Sequence, residues 1–402
     1  MRIGLSTSVI DHGHTGIAQY VFSLSRAYAS DPGPHQFVLF VLEAELPLFE
    51  FARNTLELVP VSEEYRPPVK NILWHQRVLP ELTRRYRLDV LHIPSYRRML
   101  WSRPCPLVAT IHDLAPFHVP AKYDWKRMLY GRVVARLLAK RQDQIIAISQ
   151  TTARDIARYF GRVGREVTVV YNGVDHVRFS PGPRNIARAV MAQRFGLNEP
   201  CFLYVARLEH PGKNHVRLIS AFNQFKAETR SNWKLLLAGS SWHGAEHIHA
   251  AVRQSPYSSD IQCLGFVSDE DLPLLYRGAE IVACPSLYEG FGLPVLEAMA
   301  CGRPVICSNR GALAEVAGTA AAMFDPEQVP EMKGQMKRLA ADESLREELG
   351  TAGLGQAQRF NWQTTVNKTL EIYTRAASSN PNQTQHRRRT ADCSVLRPLK
   401  QR

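Results

Sequence analysis

The chain has 402 residues, of which 45% are hydrophobic and 22% charged, a balance typical of a folded globular protein long enough for two domains. It contains no apolar run of the roughly 18 residues that a membrane-spanning helix needs, and its first residues predict a strand rather than a signal peptide. The formal net charge of +13 suits nucleic acid, an anionic membrane surface or anionic small molecules as partners. The seven cysteines form no C-x-x-C pair, which argues against a zinc or redox site and favours a reduced, cytoplasmic setting.

The first half of the sequence alternates short apolar segments with helical patterns. Strands are predicted at 2–9, 37–42, 89–93, 107–112, 144–149 and 167–171. Continuous apolar strands separated by helices favour a parallel sheet that is covered on both faces. We therefore predict an N-terminal Rossmann-like domain over residues 1–175.

A segment rich in Gly, Pro and Asn interrupts this alternation, and we place a linker at 176–198. Strands are predicted again at 201–207, 234–240, 261–267, 280–286 and 304–309. They indicate a second Rossmann-like domain over 199–360, followed by a terminal helix over 361–376 and a basic tail over 377–402 that we expect to be disordered. Two doubly wound α/β domains of this kind face each other across a cleft, where ligands bind at the carboxyl ends of the strands.

The segment PSLYEGFGLPVLEAMACG (285–302) follows one of these strands and carries the densest set of candidate residues. Pro294 suits the first turn of a helix, and Gly290 and Gly292 allow the backbone to approach a ligand closely. The free N–H groups at the start of such a helix attract an anion. This segment therefore predicts a phosphate-binding loop.

Two carboxylates flank this loop, and each can accept two hydrogen bonds from a vicinal diol of a ribose or a hexose. Glu289 precedes the glycines, and Glu297 lies about one helical turn beyond them. A capped helix with two solvated glutamates is the plain structural alternative. That alternative explains poorly why Glu297 stands among apolar residues.

Two cations follow the first strand of the second domain. Arg207 ends this strand and Lys213 follows in RLEHPGKNH, so both are expected at the mouth of the parallel sheet. A diphosphate needs fixed positive charge at that place, and charge-assisted contacts to phosphate are strong. An ordinary Arg and Lys on a solvated loop remain the alternative.

The first domain offers two weaker candidates. His112 lies with Asp113 at the end of an apolar strand, which places a titratable group at the cleft, although a satisfied core histidine is the more common case. Gly13 and Gly16 lie in DHGHTGIAQYV, a turn between the first strand and the first helix that does not match G-x-G-x-x-G. Their backbone is placed to approach a phosphate or an acceptor.

Together these motifs resemble the retaining glycosyltransferases of family 4, which have the GT-B fold, over nearly the whole chain up to the basic tail. The most specific match is the Glu-x7-Glu pattern at Glu289 and Glu297. ARLEHPGKN is similar to the family's diphosphate clamp at Arg207 and Lys213, and TIHD to its donor-sugar histidine at His112.

The resemblance implies a nucleotide-diphosphate sugar as donor, with GDP-mannose slightly favoured and a UDP-sugar as the alternative. It implies that Glu289 and His112 contact the donor sugar, that Glu297 holds the ribose, and that Arg207 and Lys213 stabilise the departing diphosphate. Six further residues are expected to contact the donor: Gly290, Phe291, Gly292, Leu293, Phe266 and Val267. Of these, Phe266 and Val267 are expected at the nucleotide base.

The implied reaction is a retaining hexosyl transfer to a sugar or lipid-linked glycan in polysaccharide or cell-envelope glycan synthesis. No protein nucleophile, no metal and no other cofactor is expected, because Arg, Lys and the helix start supply the positive charge. Within the same fold, a sugar-nucleotide epimerase or a phosphorylase is the alternative.

A non-catalytic basic protein is the alternative from another class. The segment 122–141 interleaves Lys and Arg with apolar residues, and its apolar positions fit a buried helix face. We hypothesise that this basic first domain docks on anionic lipid at the inner face of the membrane. Binding to nucleic acid is not expected, because no motif for it is present.

Overall fold

The computed structural model describes residues 1–13, 15–119, 129–161 and 167–378. Its described part contains two parallel sheets, which confirms the predicted pair of α/β domains. The predicted tail lies outside the described residues, except for its first two residues, which end the last helix. Among the described residues, no helix is long and apolar enough to cross a membrane.

The first sheet has seven strands in the order β3-β2-β1-β4-β5-β6-β7, and every neighbouring pair is parallel. These strands are β1 (Arg2–Ser6), β2 (Gln36–Leu42), β3 (Glu57–Val61), β4 (Val90–Ile93), β5 (Leu107–Ile111), β6 (Gln144–Ala147) and β7 (Val167–Val169). Strand β3 was not predicted, because it is short and contains Pro60. Its position at the edge of the sheet tolerates a residue that lacks an N–H donor.

The helices that cover this sheet are α1 (Gly16–Ser30), α2 (Pro68–Arg85), α3 (Arg136–Ala139) and α4 (Gln150–Asp155). A π-helical segment, Tyr130–Ala135, leads into α3, and a second one, Ile156–Phe160, continues α4. Helix α1 begins at Gly16 because Thr15 caps it, its Oγ1 accepting a hydrogen bond of 3.1 Å from the backbone N–H of Ala18.

The second sheet has six parallel strands in the order β10-β9-β8-β11-β12-β13. They are β8 (Cys201–Val205), β9 (Lys234–Ala238), β10 (Ile261–Gly265), β11 (Ile281–Cys284), β12 (Val305–Ser308) and β13 (Ala322–Phe324). The last strand, β13, has three residues at the sheet edge and was not predicted, because its apolar run is short.

The remaining helices are α5 (Arg184–Phe195), α6 (His215–Thr229), α7 (Ala245–Arg253), α8 (Leu272–Gly278), α9 (Leu293–Ala300), α10 (Leu313–Ala317), α11 (Val329–Ala341), α12 (Glu343–Ala357) and α13 (Trp362–Ser378). The segment 176–198, predicted as a linker, contains α5. This helix packs so closely on α8 that a Cβ built on Gly278 would lie 2.1 Å from the sulfur of Met191. Helix α5 is thus joined to the second domain.

The last helix, α13, returns to the first domain. The hydroxyl of Tyr373 lies 3.2 Å from that of Tyr28 on α1 and 2.7 Å from Nδ1 of His92 on β4. Ile372 lies in the same buried cluster as Ile3 and other residues of the first sheet. The core of the first domain therefore includes side chains from near both ends of the described chain.

Candidate active site

The loop between β11 and α9 holds the two glycines singled out in the sequence. Gly292 precedes the first residue of α9 with φ at +113°, a conformation that favours glycine. A Cβ built on Gly290 would lie 1.9 Å from the carbonyl oxygen of His112 in the first domain. The glycine at 290 is therefore required for the two domains to touch at this point.

An ion pair at the carboxyl edge of the second sheet joins two of the predicted residues. Nζ of Lys213 donates to Oε1 of Glu289 at 2.6 Å, and Oγ of Ser286 donates to the same oxygen at 2.7 Å. The hydroxyl of Tyr204 donates to the carbonyl of Lys213 at 2.9 Å and lies 3.0 Å from Ser286 Oγ. The charges of Lys213 and Glu289 are thus held in place by two neutral hydroxyl groups that the sequence did not indicate.

Arg207 has different partners from Lys213, although both follow β8. Its guanidinium carbon lies 4.6 Å from the ring centroid of Trp242, and Nη2 lies 3.9 Å from a carboxylate oxygen of Glu209. Stacking on an aromatic face limits the freedom of the long side chain while leaving its N–H groups available. The structure therefore presents the two predicted cations on one loop but in separate surroundings.

Glu297 has a partner that explains a carboxylate within an apolar helix. The hydroxyl of Tyr276 on α8 donates to Oε2 of Glu297 at 2.8 Å. Burial raises the pKa of Glu297 to about 7, although the hydrogen bond from Tyr276 acts in the opposite direction. Near neutral pH this carboxyl is thus poised between an acid and a strong hydrogen-bond acceptor.

His112 directly follows β5 and is 9% exposed. Burial lowers its pKa to about 4, although Asp113 and the backbone of Pro94 act in the opposite direction, so the ring is neutral at pH 7. Its Nε2 is buried and has no hydrogen-bond partner among the described residues. The ring of Tyr20 packs edge-on against it at 4.9 Å, a contact that the sequence did not predict.

The glycine turn of the first domain contains three consecutive residues with left-handed backbone conformation. Asp11, His12 and Gly13 all have positive φ, at 48°, 57° and 88°. The carboxylate of Glu45 accepts hydrogen bonds from the backbone N–H of His12 at 3.1 Å and from Nη1 of Arg66 at 3.0 Å. Two side chains that the sequence did not single out therefore hold this turn.

Gly16 is exposed as the first residue of α1, and a Cβ added there would meet no atom within 4 Å. Its place at the helix start leaves its backbone open to solvent.

The predicted base-contacting segment follows β10. Phe266 is 59% exposed, and Val267 packs partly buried against the core. Leu293 is also partly buried, whereas Phe291 is only 4% exposed and packs against Phe360 with ring centroids 5.8 Å apart. A donor contact at Phe291 would therefore come from its backbone.

Further contacts close the two domains on each other near the loop. Oγ of Ser149 donates to the carbonyl of Gly290 at 2.8 Å. The carboxylate of Glu315 on α10 accepts the first backbone N–H groups of α4, from Gln150 at 2.7 Å and Thr151 at 2.9 Å. A side chain of the second domain thus caps a helix of the first domain.

A small aromatic cluster reinforces this contact immediately before Glu289. The hydroxyl of Tyr288 donates to the carboxylate of Asp155. The ring of His118 stacks on that of Tyr288 at 4.2 Å, while its Nε2 lies 2.8 Å from the same carboxylate. Nothing in the local sequence indicated these pairs, because Tyr288 lies more than 100 residues from both of its partners and His118 lies 37 residues from Asp155.

Among the described residues, no three His, Cys, Asp or Glu side chains are grouped so that they could hold a metal ion.

Two parallel-sheet domains that meet at the carboxyl ends of their strands, with paired charges at the start of a helix, have the architecture of the GT-B fold. Residues 189–355 match the family described as glycosyl transferases group 1, and residues 14–178 match glycosyltransferase family 4. The O-antigen chain mannosyltransferase B of Escherichia coli is 30% identical over 395 residues, which cover 93% of this chain and 99% of that protein. The chain therefore belongs to glycosyltransferase family 4 and is a glycosyltransferase.

Two further comparisons agree with this assignment. The serotype-specific mannosyltransferase WbdA of Escherichia coli is 30% identical over 295 residues, or 69% of this chain and 34% of that protein, so the chain spans about a third of its length. The sucrose-phosphate synthase structure from Thermosynechococcus elongatus superposes with a TM-score of 0.76 at 20% identity, over 94% of this chain and all of that one. The structural likeness shows the same fold.

Proposed function

We propose that the protein transfers a hexose from a nucleotide-diphosphate sugar to a sugar or lipid-linked glycan in cell-envelope polysaccharide synthesis. GDP-mannose is the favoured donor, and a UDP-sugar is the alternative. The observation that carries the proposal is the Lys213–Glu289 pair at the start of α9, against which Gly290 brings His112 of the other domain. The similarity to an O-antigen chain mannosyltransferase over nearly the full length supports mannose and a glycan acceptor.

Departure of the diphosphate is the step that needs positive charge. Lys213, Arg207 and the free N–H groups at the start of α9 would face the phosphate oxygens as negative charge develops on them. Because these groups are already fixed by Tyr204, Ser286 and Trp242, little reorganisation is needed during the reaction. This arrangement supplies the charge that a metal ion would otherwise supply, so we propose a metal-independent reaction.

The proposed stereochemical course is retention of configuration at the anomeric carbon, without a nucleophile from the protein. In this proposal the acceptor oxygen attacks the anomeric carbon from the face on which the bond to the diphosphate breaks. Its proton passes to the departing phosphate oxygen, so that atoms and charge balance without an enzyme base. The neutral ring of His112 and its carbonyl group would stabilise the positive charge that builds on the sugar ring.

The two glutamates divide the donor between them. Glu289 would accept hydrogen bonds from hydroxyls of the sugar, because Lys213 and Ser286 hold its carboxylate beside the loop. Glu297 would accept hydrogen bonds from the ribose diol with the oxygen that Tyr276 does not occupy.

The donor is tested by measuring thermal stabilisation of the protein by GDP-mannose, UDP-glucose and ADP-glucose at equal concentrations. The expected result is a rise in Tm with GDP-mannose that exceeds the other two, since a bound ligand stabilises the native state. Slow hydrolysis of the preferred donor, with an α-anomeric product by NMR and no loss of rate in EDTA, would support retention without a metal. An epimerised sugar nucleotide in the absence of acceptor would instead identify an epimerase.

We also propose that the first domain docks on an anionic membrane. The predicted basic helix is described from residue 129 onward, and its remainder lies outside the described residues. Contrary to the expectation of a buried apolar face, Leu129, Val133 and Leu137 are exposed, at 54%, 48% and 46%. A parallel stripe of exposed cations lies beside them at the same four-residue spacing: Arg132, Arg136 and Lys140.

An exposed tryptophan extends this surface. Trp101 is 53% exposed, and the guanidinium carbon of Arg141, just beyond α3, lies 4.8 Å from its ring centroid. Apolar side chains beside cations, with a tryptophan at the border, are typical of a helix that lies in the plane of an anionic bilayer. The occupant that fits both the charge and the apolar stripe is a lipid surface.

Flotation with vesicles that contain phosphatidylglycerol tests the docking. The protein is expected to float with these vesicles at low salt, and the variant Leu137→Glu to remain at the bottom. Val177→Glu is the matched control, because Val177 is 92% exposed and lies outside this surface. Equal flotation of Leu137→Glu and the parent, or no flotation of the parent at low salt, would overturn the docking proposal while leaving the transfer proposal intact.

A further inference from the structure

Four arginines gather at the amino edge of the second sheet, and we call them the arginine cluster. Arg184 and Arg188 lie on α5, Arg303 lies between α9 and β12, and Arg346 lies on α12. Three elements that are distant in sequence thus bring their cations together.

The arginine cluster is separate from the candidate active site. Arg184 and Arg188 pair with Glu280, which directly precedes β11 and whose N–H donates to the carbonyl of Cys201 at the start of β8. The donor loops leave the other ends of the same strands. Because a strand rises roughly 3.3 Å per residue, the five residues of β8 separate the two edges by about 13 Å.

Positive charge exceeds negative charge at this edge. The buried carboxylate of Glu280 pairs with Arg184 and, at 3.0 Å, with Nη2 of Arg188. Glu343 is 74% exposed and lies 4.0 Å from Arg346. Within the part of the chain that the structure describes, these two carboxylates are the ones in ion pairs with the four guanidinium groups.

Some of the hydrogen-bonding capacity of the cluster has no protein partner. Nε of Arg184 and Nε of Arg303 are both buried and have no acceptor among the described residues. Arg346 is anchored, since its Nη1 donates to the carbonyls of Leu339 at 2.7 Å and Ala340 at 3.1 Å. Arg184 and Arg188 remain reachable from solvent, with side chains 35% and 39% exposed.

Burial and the neighbouring positive charges act in the same direction on these groups. Burial, together with the charges of Arg303, Arg188 and Arg346, lowers the pKa of Arg184 to about 10. Burial and Arg346 likewise lower the pKa of Arg303. Arg184 and Arg303 therefore experience positive charge that the protein's own carboxylates leave uncompensated.

We propose that the arginine cluster is a second anion site, which binds a phosphate-class oxyanion independently of the donor cleft. Guanidinium groups match phosphate geometry through paired N–H donors, and a dianion would balance the excess of positive charge. The bound group would join α5, the segment before β12 and α12. The shared chemistry is a phosphate monoester or free phosphate, either dissolved or carried by a lipid headgroup.

The test separates this site from the diphosphate clamp by working in the Lys213→Ala background, in which the donor site has lost a phosphate-binding cation. Tm is recorded in inorganic phosphate at about 1–20 mM and, for comparison, in sodium chloride of equal ionic strength. Phosphate is expected to raise Tm by a few degrees. Adding Arg303→Gln is expected to abolish this rise.

Arg338→Gln is the matched control, because it removes one positive charge from an exposed position of α11 in the same domain. This control is expected to retain the full response to phosphate. Without phosphate, Arg303→Gln is expected to leave Tm unchanged or higher, because it relieves repulsion between like charges. If Arg303→Gln fails to fold, Arg184→Gln, at a more exposed position of the cluster, takes its place.

The source of the phosphate is resolved in a second arm with vesicles that contain phosphatidic acid or only phosphatidylcholine. Flotation on phosphatidic acid that Arg303→Gln abolishes, and Leu137→Glu does not, would identify a lipid headgroup. Response to dissolved phosphate alone would identify a free oxyanion. An equal phosphate response with and without Arg303→Gln, or none in the Lys213→Ala parent, would overturn the proposal without affecting the proposed sugar transfer.

Discussion

The two faces of the cleft are built in different ways. The second domain presents charged side chains that already have partners: Lys213 forms an ion pair with Glu289, and Tyr276 donates a hydrogen bond to Glu297. The first domain presents left-handed backbone at Gly13 and a neutral, buried His112. In the proposed reaction the charged face would hold the anionic donor, whereas the other face, which is shaped by its backbone, would hold an uncharged group. The difference indicates that substitutions on the two faces should have different kinetic consequences.

The largest effect is expected at the charged face. Lys213→Ala and Glu289→Ala should each lower kcat/KM for transfer by about 10²- to 10³-fold, because each removes a fixed charge from the reacting end of the donor. The measurement is the initial rate of transfer at varied donor concentration, with circular dichroism to confirm folding.

Lys234→Ala is the matched control for this pair. Lys234 is 22% exposed, as Lys213 is, and it pairs with Asp260 at 2.7 Å at the opposite edge of the same sheet. It should retain normal activity. If both Lys213→Ala and Glu289→Ala kept full activity, the mechanism proposed here would be wrong.

A smaller effect is expected where the two faces touch. Gly290→Ala places a Cβ against the carbonyl of His112, and relieving the overlap should cost about 1–3 kcal/mol, or roughly 10- to 100-fold in rate. Small-angle scattering should show a larger radius of gyration. Gly334→Ala, where an added Cβ meets no atom within 4 Å, should leave both quantities unchanged. Unchanged activity in Gly290→Ala would show that this close approach is not needed for catalysis.

The next effect concerns donor affinity and pH. Because the pKa of Glu297 is about 7, its carboxyl is largely protonated at pH 6 and largely ionised at pH 8. The ionised form accepts hydrogen bonds from the ribose diol better, so the donor Kd, measured by calorimetry, should fall as pH rises through 7. Glu297→Gln should weaken binding about tenfold at pH 8 and remove this dependence.

The same raised pKa sets the sign of a stability effect. Folding favours the protonated carboxyl of Glu297. Its contribution to the stability of the folded protein is therefore fully present below pH 4.5, the ordinary pKa, and is lost as pH rises through about 7. Glu297→Gln should therefore be more stable than the parent at pH 8. Tyr276→Phe removes a hydrogen bond that favours the ionised form, so it should move the midpoint of donor binding to higher pH. If the midpoint did not move, the hydrogen bond from Tyr276 would have no effect on the pKa of Glu297.

The smallest effect is expected at the helix cap that crosses the cleft. Glu315→Ala should remove the capping of α4 by the second domain, which costs about 1 kcal/mol and lowers activity a few-fold. Asp342→Ala removes a cap of the same kind within one domain, since Asp342 Oδ1 accepts from the N–H of Leu345 at 2.9 Å. It should lower Tm without changing the transfer rate. Equal activity losses in the two variants would indicate that domain contact is not involved.

The fold was predictable because the strand signals are short apolar runs, and nine of the eleven predicted strands lie in the interior of the two sheets, where helices cover them. The two strands that were missed, β3 and β13, are edge strands, which need fewer apolar residues. The sequence of helix α5 predicts a linker because the buried face of this helix is narrow, with Ala187 and Met191 as its buried residues. Edge and linker elements therefore gave the weakest signals.

The sequence indicated the charged candidate residues of the site, but not the residues that support them. Glu289 and Lys213 lie at strand ends beside glycines, which is a local signal. Tyr276, Tyr204 and Tyr20 act through single hydroxyls or rings whose partners are distant along the chain. An isolated tyrosine in an apolar segment looks like any core residue, so only the folded structure reveals its role.

The return of α13 to the first domain has a consequence for how the protein is made. Tyr373 and Ile372 complete a core whose other members begin at Ile3, so this core stays unfinished while the ribosome synthesises the whole second domain. The N-terminal domain, which leaves the ribosome first, is thus the last to complete its hydrophobic core. Premature termination before α13 would leave a complete second sheet beside a first domain with an exposed apolar face, which is the kind of surface that chaperones and proteases recognise.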